Sequence, residues 1–243
     1  MHDELGERMK GHYEDRTRHF LPRRTHTIIR LDGKAFHTFT AYCEKPFDNA
    51  LMKLMDETAQ FLCQNIQGCK FAYVQSDEIS LLLTDFDDIK TDAWFNGNIQ
   101  KIASVSASMA TAFFNNNINH PLDVYGPAFF DSRVFTIPEW TEVENYFIWR
   151  QNDATRNSIQ MVAQSLYSQK ELHGKKQPEL QEMIFQKGQN WNNLEDGKKR
   201  GRVIVKIPKI ARDDKTGWGI IINPPIFTQE RNYIKEKVFN ETK

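Results

Sequence analysis

The length, composition and charge of the chain exclude several classes of protein. Its 243 residues, 40% of them hydrophobic, can bury a core in one large domain or in one domain with a small appendage. No apolar run approaches the roughly 20 residues that span a bilayer, so a membrane-spanning helix is not expected. The 32 basic residues balance 32 acidic ones, which argues against a protein that coats nucleic acid indiscriminately.

The N-terminal segment and the cysteines indicate a cytoplasmic protein. Residues 1–20 are charged throughout and contain no apolar signal-peptide core. Cys43, Cys63 and Cys69 form neither an even disulfide set nor a close C-x-x-C pair, so reduced thiols are expected. A zinc site made by Cys63, Cys69 and a distant histidine is conceivable, but cysteines buried on a helix face are the preferred interpretation.

The first predicted elements are a strand and a helix. The segment His26–Asp32 is rich in β-branched residues and stops at Gly33, which predicts a buried strand. Apolar residues recur at helical spacing over Asn49–Ile66, and Asp48 is placed to cap this helix at its N-terminus.

A hairpin, a second helix and another strand follow. Phe71–Gln75 and Ile79–Thr84 are short apolar runs that flank Ser76-Asp77-Glu78, which predicts a β-hairpin with two carboxylates at its tip. Helical spacing extends over Phe95–Phe114, and Arg133–Ile137 has the composition of a strand.

The order β-α-β-β-α-β is that of a ferredoxin-like unit, so the expected fold class is α+β, an antiparallel sheet with two helices on one face. A helix is predicted over Glu139–Ser168, with a possible break near Asn152-Asp153, followed by a hairpin of Arg202–Pro208 and Trp218–Asn223. We therefore expect a catalytic unit over residues 1–138. A helical and β-hairpin extension, residues 139–243, would pack on that unit or continue the same domain.

Three acidic residues are the first candidates for chemistry. Asp32 ends the first strand, and Asp77 and Glu78 lie at the hairpin. The first and third strands of such a unit are commonly central neighbours, so the three acids are expected to converge at one edge. Like charges this close repel unless a cation lies between them, and hard oxygen ligands favour Mg²⁺.

The residues after Asp32 suggest a phosphate site. A glycine followed by a tight turn, as in residues 33–37, can aim several backbone N–H groups at a polyphosphate. Lys45 and Lys101 would add positive charge. Taken alone, an Asp-Gly pair is most often a turn and an Asp-Glu pair a solvated hairpin tip. Together, on adjacent strands, they indicate phosphate chemistry.

The strongest charge asymmetry lies between residues 196 and 215. This segment contains eight basic and three acidic residues, a surplus of five positive charges. Such a cluster is usually a solvated surface. Beside a phosphate-handling site it becomes a candidate contact for an RNA backbone.

The stretch of residues 30–39, RLDGKAFHTF, resembles the R-x-D-G-x-x-F-H-x-F signature of the tRNA(His) guanylyltransferase family. Further similar stretches follow in the family's order as far as Gly201. These are Lys45-Pro46, Gln75-Ser76-Asp77-Glu78, Trp94-Phe95 with Lys101, Phe130-Asp131-Ser132-Arg133-Val134, Trp149-Arg150-Gln151-x-Asp153, and more loosely Asn190-Trp191-Asn192-Asn193 and Arg200-Gly201.

The resemblance implies a nucleotidyltransferase with a fold like the palm of polymerases. ATP would adenylylate the 5′-monophosphate of a tRNA, and the 3′-hydroxyl of GTP or another nucleoside triphosphate would then attack the activated phosphate. Two Mg²⁺ ions would be held by Asp32, Asp77 and the Gly33 carbonyl, with Glu78 in support. The resemblance also implies a homo-oligomer, since family members are commonly tetramers. The residues implied in nucleotide binding are Gly33, Lys34, Ala35, Phe36, His37, Lys45, Asp48, Ser76, Asp77 and Lys101.

One departure from the family pattern bears on specificity. Where dedicated guanylyltransferases carry H-I-N-N-L-Y-N, residues 155–161 read TRNSIQM and keep only Asn157 of that run. Leu180 replaces a family lysine. These changes resemble the guanylyltransferase-like branch of bacteria and archaea, which is associated with templated repair of 5′-truncated tRNAs. They imply template-dependent 3′–5′ addition, with a dedicated tRNA(His) guanylyltransferase as the alternative.

Two less favoured hypotheses of function remain, and six residues are candidate contacts for tRNA. A nucleotidyl cyclase shares a palm-like unit, but residues 139–215 would be surplus to it. A non-catalytic tRNA-binding protein is disfavoured by the intact acids, because an unused carboxylate cluster is costly to keep together. The candidate tRNA-binding residues are Arg133, Arg156, Asn157, Lys198, Lys199 and Arg200.

Overall fold

The described residues form one antiparallel sheet of six strands. The computed structural model describes residues 3–118, 126–207 and 217–239. Each neighbouring pair of strands is antiparallel. The strands are β1 (His26–Gly33), β2 (Cys69–Gln75), β3 (Glu78–Leu83), β4 (Phe130–Ile137), β5 (Arg202–Ile207) and β6 (Gly217–Ile221). Their order across the sheet is β4-β1-β3-β2-β5-β6.

Nine α-helices lie within the described ranges. The 27-residue helix α5 is the longest of them. None of these helices is both long enough and apolar enough to cross a membrane. They are α1 (Glu4–Met9), α2 (Phe36–Phe39), α3 (Asn49–Asn65), α4 (Ile99–Asn116), α5 (Trp140–Leu166), α6 (Gln169–Leu172), α7 (Gln177–Gln186), α8 (Asp196–Arg200) and α9 (Asn232–Phe239).

The centre of the sheet is built as the sequence predicted. Strand β1 lies between β3 and β4, so the first and third strands are neighbours. Asp32 is directly opposite Glu78 on β3 and Asp131 on β4. This register places the end of β1 beside the start of β3, which is the position of the turn between β2 and β3.

Helices cover both faces of the sheet. Side chains alternate along a strand, so Ile28 and Ile29 point to opposite faces. Ile29 joins the core formed with α3 and α4. Ile28 joins a second core with Phe71, Leu82 and residues of α5 and α9. The sequence predicted helices on one face only. Because β2 and β3 are buried along their whole length, both faces need a cover.

The helix predicted to break near Asn152-Asp153 is continuous, and that prediction was wrong. Asp and Asn weaken helices when their side chains compete for the backbone. Here the Asp153 carboxylate accepts hydrogen bonds from Arg150 and Arg156, each three residues away along the same helix. The side chain is therefore satisfied without disturbing the helix.

Other element boundaries also differ from the prediction. Helix α4 starts after Asn98, which caps it, rather than at Phe95, because Phe95 and Asn96 adopt left-handed φ values of 49° and 52°. Strand β4 begins at Phe130 because its pairing with β1 extends as far as Gly33. Glu78 belongs to β3 and not to the hairpin tip.

The predicted C-terminal hairpin is present, but it extends the first sheet. Strand β5 pairs with β6 on one side and with β2 on the other. Residues 208–216, including the predicted connecting loop and three lysine or arginine residues of the basic segment, lie outside the described residues. Cys63 and Cys69 are buried and Cys43 is partly exposed, all three as free thiols. Burial raises the pKa of the Cys63 thiol.

Candidate active site

A cavity of about 440 Å³ lies at the end of the sheet where β1 finishes and β2 turns into β3. Its wall contains most of the residues that the sequence predicted for metal and nucleotide. Those residues are Asp32, Gly33, Ala35, Phe36, His37, Lys45, Asp48, Ser76 and Asp77. The wall also contains residues to which the sequence assigned no role, namely Thr40, Cys43, Glu44, Pro46, Leu51 and Met161.

The turn from β1 into α2 requires glycine at the last residue of β1. A Cβ atom on Gly33 would lie 2.2 Å from the Phe36 ring, so no other residue fits there without moving that ring. The Gly33 N–H donates to the Asp77 carbonyl at 3.2 Å, which ties this loop to the hairpin turn. Ala35 is left-handed, with φ 54°, and directly precedes α2. Left- and right-handed conformations in succession turn backbone N–H groups to one side, as phosphate-binding nests do.

The hairpin turn carries Asp77 into the same cavity. Burial raises the pKa of Asp77, and the nearby Asp32 carboxylate raises it further. The two carboxylates therefore repel each other, and a bound cation would remove this repulsion. Within the described ranges no three or more histidine, cysteine, aspartate or glutamate side chains form a group that could hold a metal ion. Two carboxylates beside a phosphate cavity still suit Mg²⁺, which usually takes one or two carboxylates together with substrate phosphates.

Glu78 does not share that role, and the prediction that three acids converge on one cation was wrong for this residue. Its carboxylate accepts two hydrogen bonds from Arg150, from Nε to Oε1 and from Nη2 to Oε2, both 2.7 Å long. Burial raises the pKa of Glu78, whereas Arg150 lowers it. Because the pair is buried and bidentate, both groups stay charged and neutralise each other.

Helix α5 holds the turn from both sides. Arg150 binds Glu78, the residue after Asp77, and also donates to Asp153 at 2.8 Å. Asp153 in turn accepts a long, 3.5 Å hydrogen bond from the amide of Gln75, the residue before Ser76. The sequence identified Arg150-Gln151-x-Asp153 only as a stretch similar to the family pattern. Its spacing did not predict that Arg150 and Asp153 fix the position of Asp77.

Asp48 and Lys45 have structural bonds as well as a place in the cavity wall. As predicted, Asp48 caps α3, accepting from the Leu51 N–H at 2.9 Å. Its second oxygen accepts from the Glu44 N–H at 3.1 Å. The Lys45 ammonium donates to the Thr40 carbonyl at 3.0 Å. These bonds fold the loop between α2 and α3 over the cavity.

Two of the predicted nucleotide-binding lysines lie elsewhere. The Lys34 side chain is exposed and lies 5.9 Å from the centre of the Phe129 ring, outside the cavity wall. Lys101 is in the first turn of α4, beside the chain that enters β1, where the Leu21 N–H bonds to the Gly97 carbonyl. At about 3.3 Å per strand residue, roughly 20 Å of β1 separates that end from Asp32. Lys101 therefore lies too far from Asp32 of the same chain to join this phosphate site, and that prediction was wrong.

A second cavity of about 80 Å³ adjoins the first. The two cavities share Asp48, Leu51, Ser76 and Met161. Asn157 and Lys198, both predicted to contact tRNA, lie in the wall of the smaller one. These two residues are thus placed beside the candidate nucleotide site, on α5 and α8. The Lys198 side chain is only 19% exposed and pairs with Glu195 at 3.5 Å, but it borders the cavity.

The remaining basic candidates fall into two groups. Lys199 is buried, donates to the Asn192 carbonyl at 2.8 Å and pairs with Asp196 at 3.2 Å. Arg200 is mostly buried and also pairs with Asp196. The prediction that these two belong to a surface that contacts RNA was wrong, because their charges are used to fold α8. Arg133 and Arg156 are exposed, as an RNA contact requires.

Arg133 is an exposed arginine beside Asp32. Its Nη1 lies 3.9 Å from Asp32 Oδ2, and its Nη2 lies 3.7 Å from Asp131 Oδ1. Arg156 pairs with Asp153 on the outer side of α5. A positive charge next to Asp32 suits a second phosphate at the edge of the site.

Comparison with known proteins agrees with this geometry. Residues 6–138, more than half of the chain, match the family described as tRNAHis guanylyltransferase. The protein belongs to this family and is a nucleotidyltransferase. The tRNA(His) guanylyltransferase of Kluyveromyces lactis is 30% identical over 212 residues, which cover 78% of this chain and 86% of the relative.

Two solved bacterial structures are similar over almost the whole chain. A bacterial tRNA(His) guanylyltransferase-like protein in complex with ATP is 43% identical, with a TM-score of 0.89 over 97% of this chain and 100% of that one. A structure with the same description, in complex with GTP, is 42% identical, with a TM-score of 0.81 over 98% of this chain and 100% of that one. The mixed architecture of helices and antiparallel sheet is therefore that of this family.

Proposed function

We propose that this protein adds nucleotides to the 5′ end of tRNA in the 3′–5′ direction, choosing each nucleotide by pairing with the opposite strand. Its physiological role would be the repair of 5′-truncated tRNAs. The similarity to guanylyltransferase-like proteins supports this assignment, since they are 42–43% identical over nearly the full length.

The main support for templated addition comes from the residues of α5 that line the two cavities. Two asparagines of the dedicated enzymes' H-I-N-N-L-Y-N run are replaced there by Ser158 and Met161. The Ser158 hydroxyl already accepts a hydrogen bond from Trp191 Nε1 at 2.9 Å, and the Met161 thioether is a weak acceptor. Rejecting the wrong base requires polar groups that would be left unpaired by it. With these two amides absent, base pairing would be the reader of identity.

The central strands β4-β1-β3-β2, with α3 and α4 on one face, would act as a ferredoxin-like, palm-like unit. This arrangement supports catalysis because it presents Asp32 and Asp77 on neighbouring strand ends. Asp32, Asp77 and the Gly33 carbonyl would hold two Mg²⁺ ions. When bound, such ions neutralise charge on the transferring phosphoryl group and on the attacking and leaving oxygens.

The residues of the chain would position the substrates. The loop of residues 33–37 and Lys45 would bind the triphosphate of ATP or GTP, the nucleotides present in the similar bacterial structures. The paired Glu78 and Arg150 would keep Asp77 in place during the reaction. Because the reactants must be held in line, even a displacement of about 1 Å can cost on the order of a hundredfold in rate.

The tRNA would lie across the outer edge of this site. Arg133, Arg156, Asn157 and Lys198 are the candidate contacts that remain after Lys199 and Arg200 are assigned to folding. A homotetramer in the cytoplasm is part of the same proposal, by resemblance to the family.

The experiment that tests this function supplies intact and 5′-truncated tRNAs with labelled nucleotides and sequences the 5′ ends of the products. We expect preferential extension of the truncated tRNA until the acceptor stem is complete. Addition of one G to intact tRNA(His) only would favour the dedicated guanylyltransferase instead. A cyclic product formed from nucleoside triphosphates alone would identify a cyclase.

A further inference from the structure

We infer that the exposed indole of Trp149 is a stacking platform for a nucleobase at the RNA end that reacts at Asp32. The inference rests on the proposed function. It adds an RNA contact outside the nucleotide cavity, on the opposite side of Asp32.

The surface concerned is the part of β1 and β4 that α5 leaves uncovered, which we call the open strip. Arg30 is directly opposite Arg133, and Asp32 is directly opposite Asp131. Directly opposite residues on antiparallel strands project from the same face. Ile28, two and four residues before Arg30 and Asp32, packs in the core under α5, so this is the α5 face. Asp131 and Arg133 are nevertheless about half exposed.

Trp149 stands at the border of this strip. Its ring has an edge-on contact with Tyr146 at 5.9 Å, and Tyr146 in turn contacts Phe135 of β4 at 5.7 Å. Phe135 is two residues beyond Arg133 on the same strand. The indole therefore lies on the side of α5 that faces β4, the strand that carries Arg133.

The orientation of the ring is fixed although 52% of the residue is exposed. The Arg150 guanidinium lies over the ring, 4.3 Å from its centre. That guanidinium is itself held by the bidentate pair with Glu78 and by Asp153. An indole held in this way loses little conformational freedom when a base stacks on it.

The chemistry of the strip suits the end of a nucleic acid. Proteins that bind single-stranded ends combine positive charge for the phosphates with aromatic rings for the bases. Here Arg30 and Arg133 supply the charge and Trp149 supplies the ring. Single exposed aromatic residues are common on protein surfaces and need no explanation by themselves. Trp149 differs because its ring is held by Arg150, at the border of the strip that carries Arg30, Arg133 and Asp32.

The RNA end is favoured over a free nucleotide as the occupant. Asp32 lines the nucleotide cavity and also belongs to the open strip. A nucleotide in the cavity and an RNA end on the strip would thus meet at Asp32 from two sides. Phosphoryl transfer requires such an arrangement, since attacking and leaving groups lie roughly in line.

The test compares W149A, W149F and the control F185A, which removes an exposed aromatic ring on α7. Binding of the 5′-truncated tRNA is measured as a function of salt, beside binding of ATP and GTP alone. Loss of one base stack should weaken tRNA binding by W149A roughly 5- to 150-fold, and W149F should recover most of it. The salt slope of W149A should match wild type, because no charge is lost, whereas R133A should lower it by roughly 0.7–0.9.

Three outcomes would overturn the inference. They are wild-type tRNA affinity in W149A, weakened binding of free ATP or GTP in place of tRNA, and a loss that F185A reproduces. Because the readout is binding, it is independent of activity. If the wild-type protein binds tRNA through Trp149 but adds no nucleotide, the proposed function fails and the platform stands.

Discussion

Asp32, Asp77 and Asp131 lie at the same end of the sheet but have different neighbours. Asp32 and Asp77 line the nucleotide cavity, whereas Asp131 pairs at the surface with Arg133. We predict that D32N or D77N lowers nucleotide addition by roughly a thousandfold or more. A lost cation ligand commonly costs several kcal/mol in the transition state, and each 1.4 kcal/mol is tenfold in rate. Single-turnover assays at saturating Mg²⁺ measure the effect.

The control for these variants is D131N, which changes the same functional group outside the cavity. It should stay within a few-fold of wild type. Near wild-type turnover in folded D32N or D77N would show that the cation assignment is incorrect.

A second prediction concerns the contribution of the buried Arg150 side chain to stability. In R150A the buried Glu78 carboxylate loses its partner, which should lower the free energy of unfolding by about 3–5 kcal/mol. R150K should recover only part of this loss, because an ammonium group cannot reproduce the bidentate contact. The free energies come from urea denaturation.

Arg156 provides the matched comparison. It pairs with Asp153, as Arg150 does, but its side chain is 61% exposed. R156A should therefore cost at most about 1 kcal/mol. Equal losses in R150A and R156A would mean that burial does not govern these pairs.

Among the elements, the extent of those with a strong hydrophobic period was predictable, whereas features that depend on particular side-chain partners were not. Helix α3 and strand β1 follow their apolar patterns to within a residue. The course of α5 through Asn152-Asp153 was missed because it depends on which arginines bond to Asp153. Likewise, no pattern in Lys198-Lys199-Arg200 distinguishes a lysine that is buried from one that borders a cavity.

Helix α8 yields a prediction that separates its two lysines. K199M should lower the free energy of unfolding by about 1–3 kcal/mol, since the Asn192 carbonyl loses its buried donor. Its tRNA affinity should not change. K198A should lose at most about 1 kcal/mol, since the partner Glu195 is largely exposed. It should weaken substrate binding, because Lys198 borders the small cavity. Denaturation and tRNA binding are measured on both variants. The opposite pattern would return Lys199 to the RNA surface.

For the molecule as a whole, the boundary expected after residue 138 cuts through shared structure. Strand β5 pairs with β2, and α5 and α9 cover the face that contains Ile28 and Leu82. The sequence could not predict this pairing, because strand partners distant in sequence leave no local pattern. The candidate site also depends on both parts of the chain. Arg150 and Asp153 of α5 bond to residues on either side of the turn that carries Asp77.

We therefore predict that a fragment of residues 1–138 does not fold by itself. Removing residues 139–243 would expose one whole face of the central sheet and the β2 edge. Circular dichroism and amide exchange on this fragment, beside the full chain, are the measurements. A cooperative unfolding transition in the fragment would support two separable domains.

Templated choice of the nucleotide can be tested with four matched tRNA substrates. A tRNA lacking its first nucleotide is prepared in four versions that differ only in the opposing base, and each is offered all four nucleoside triphosphates. We predict that the complementary nucleotide is added fastest in every version. Addition of G at the same rate opposite all four bases would contradict templating and identify a dedicated guanylyltransferase.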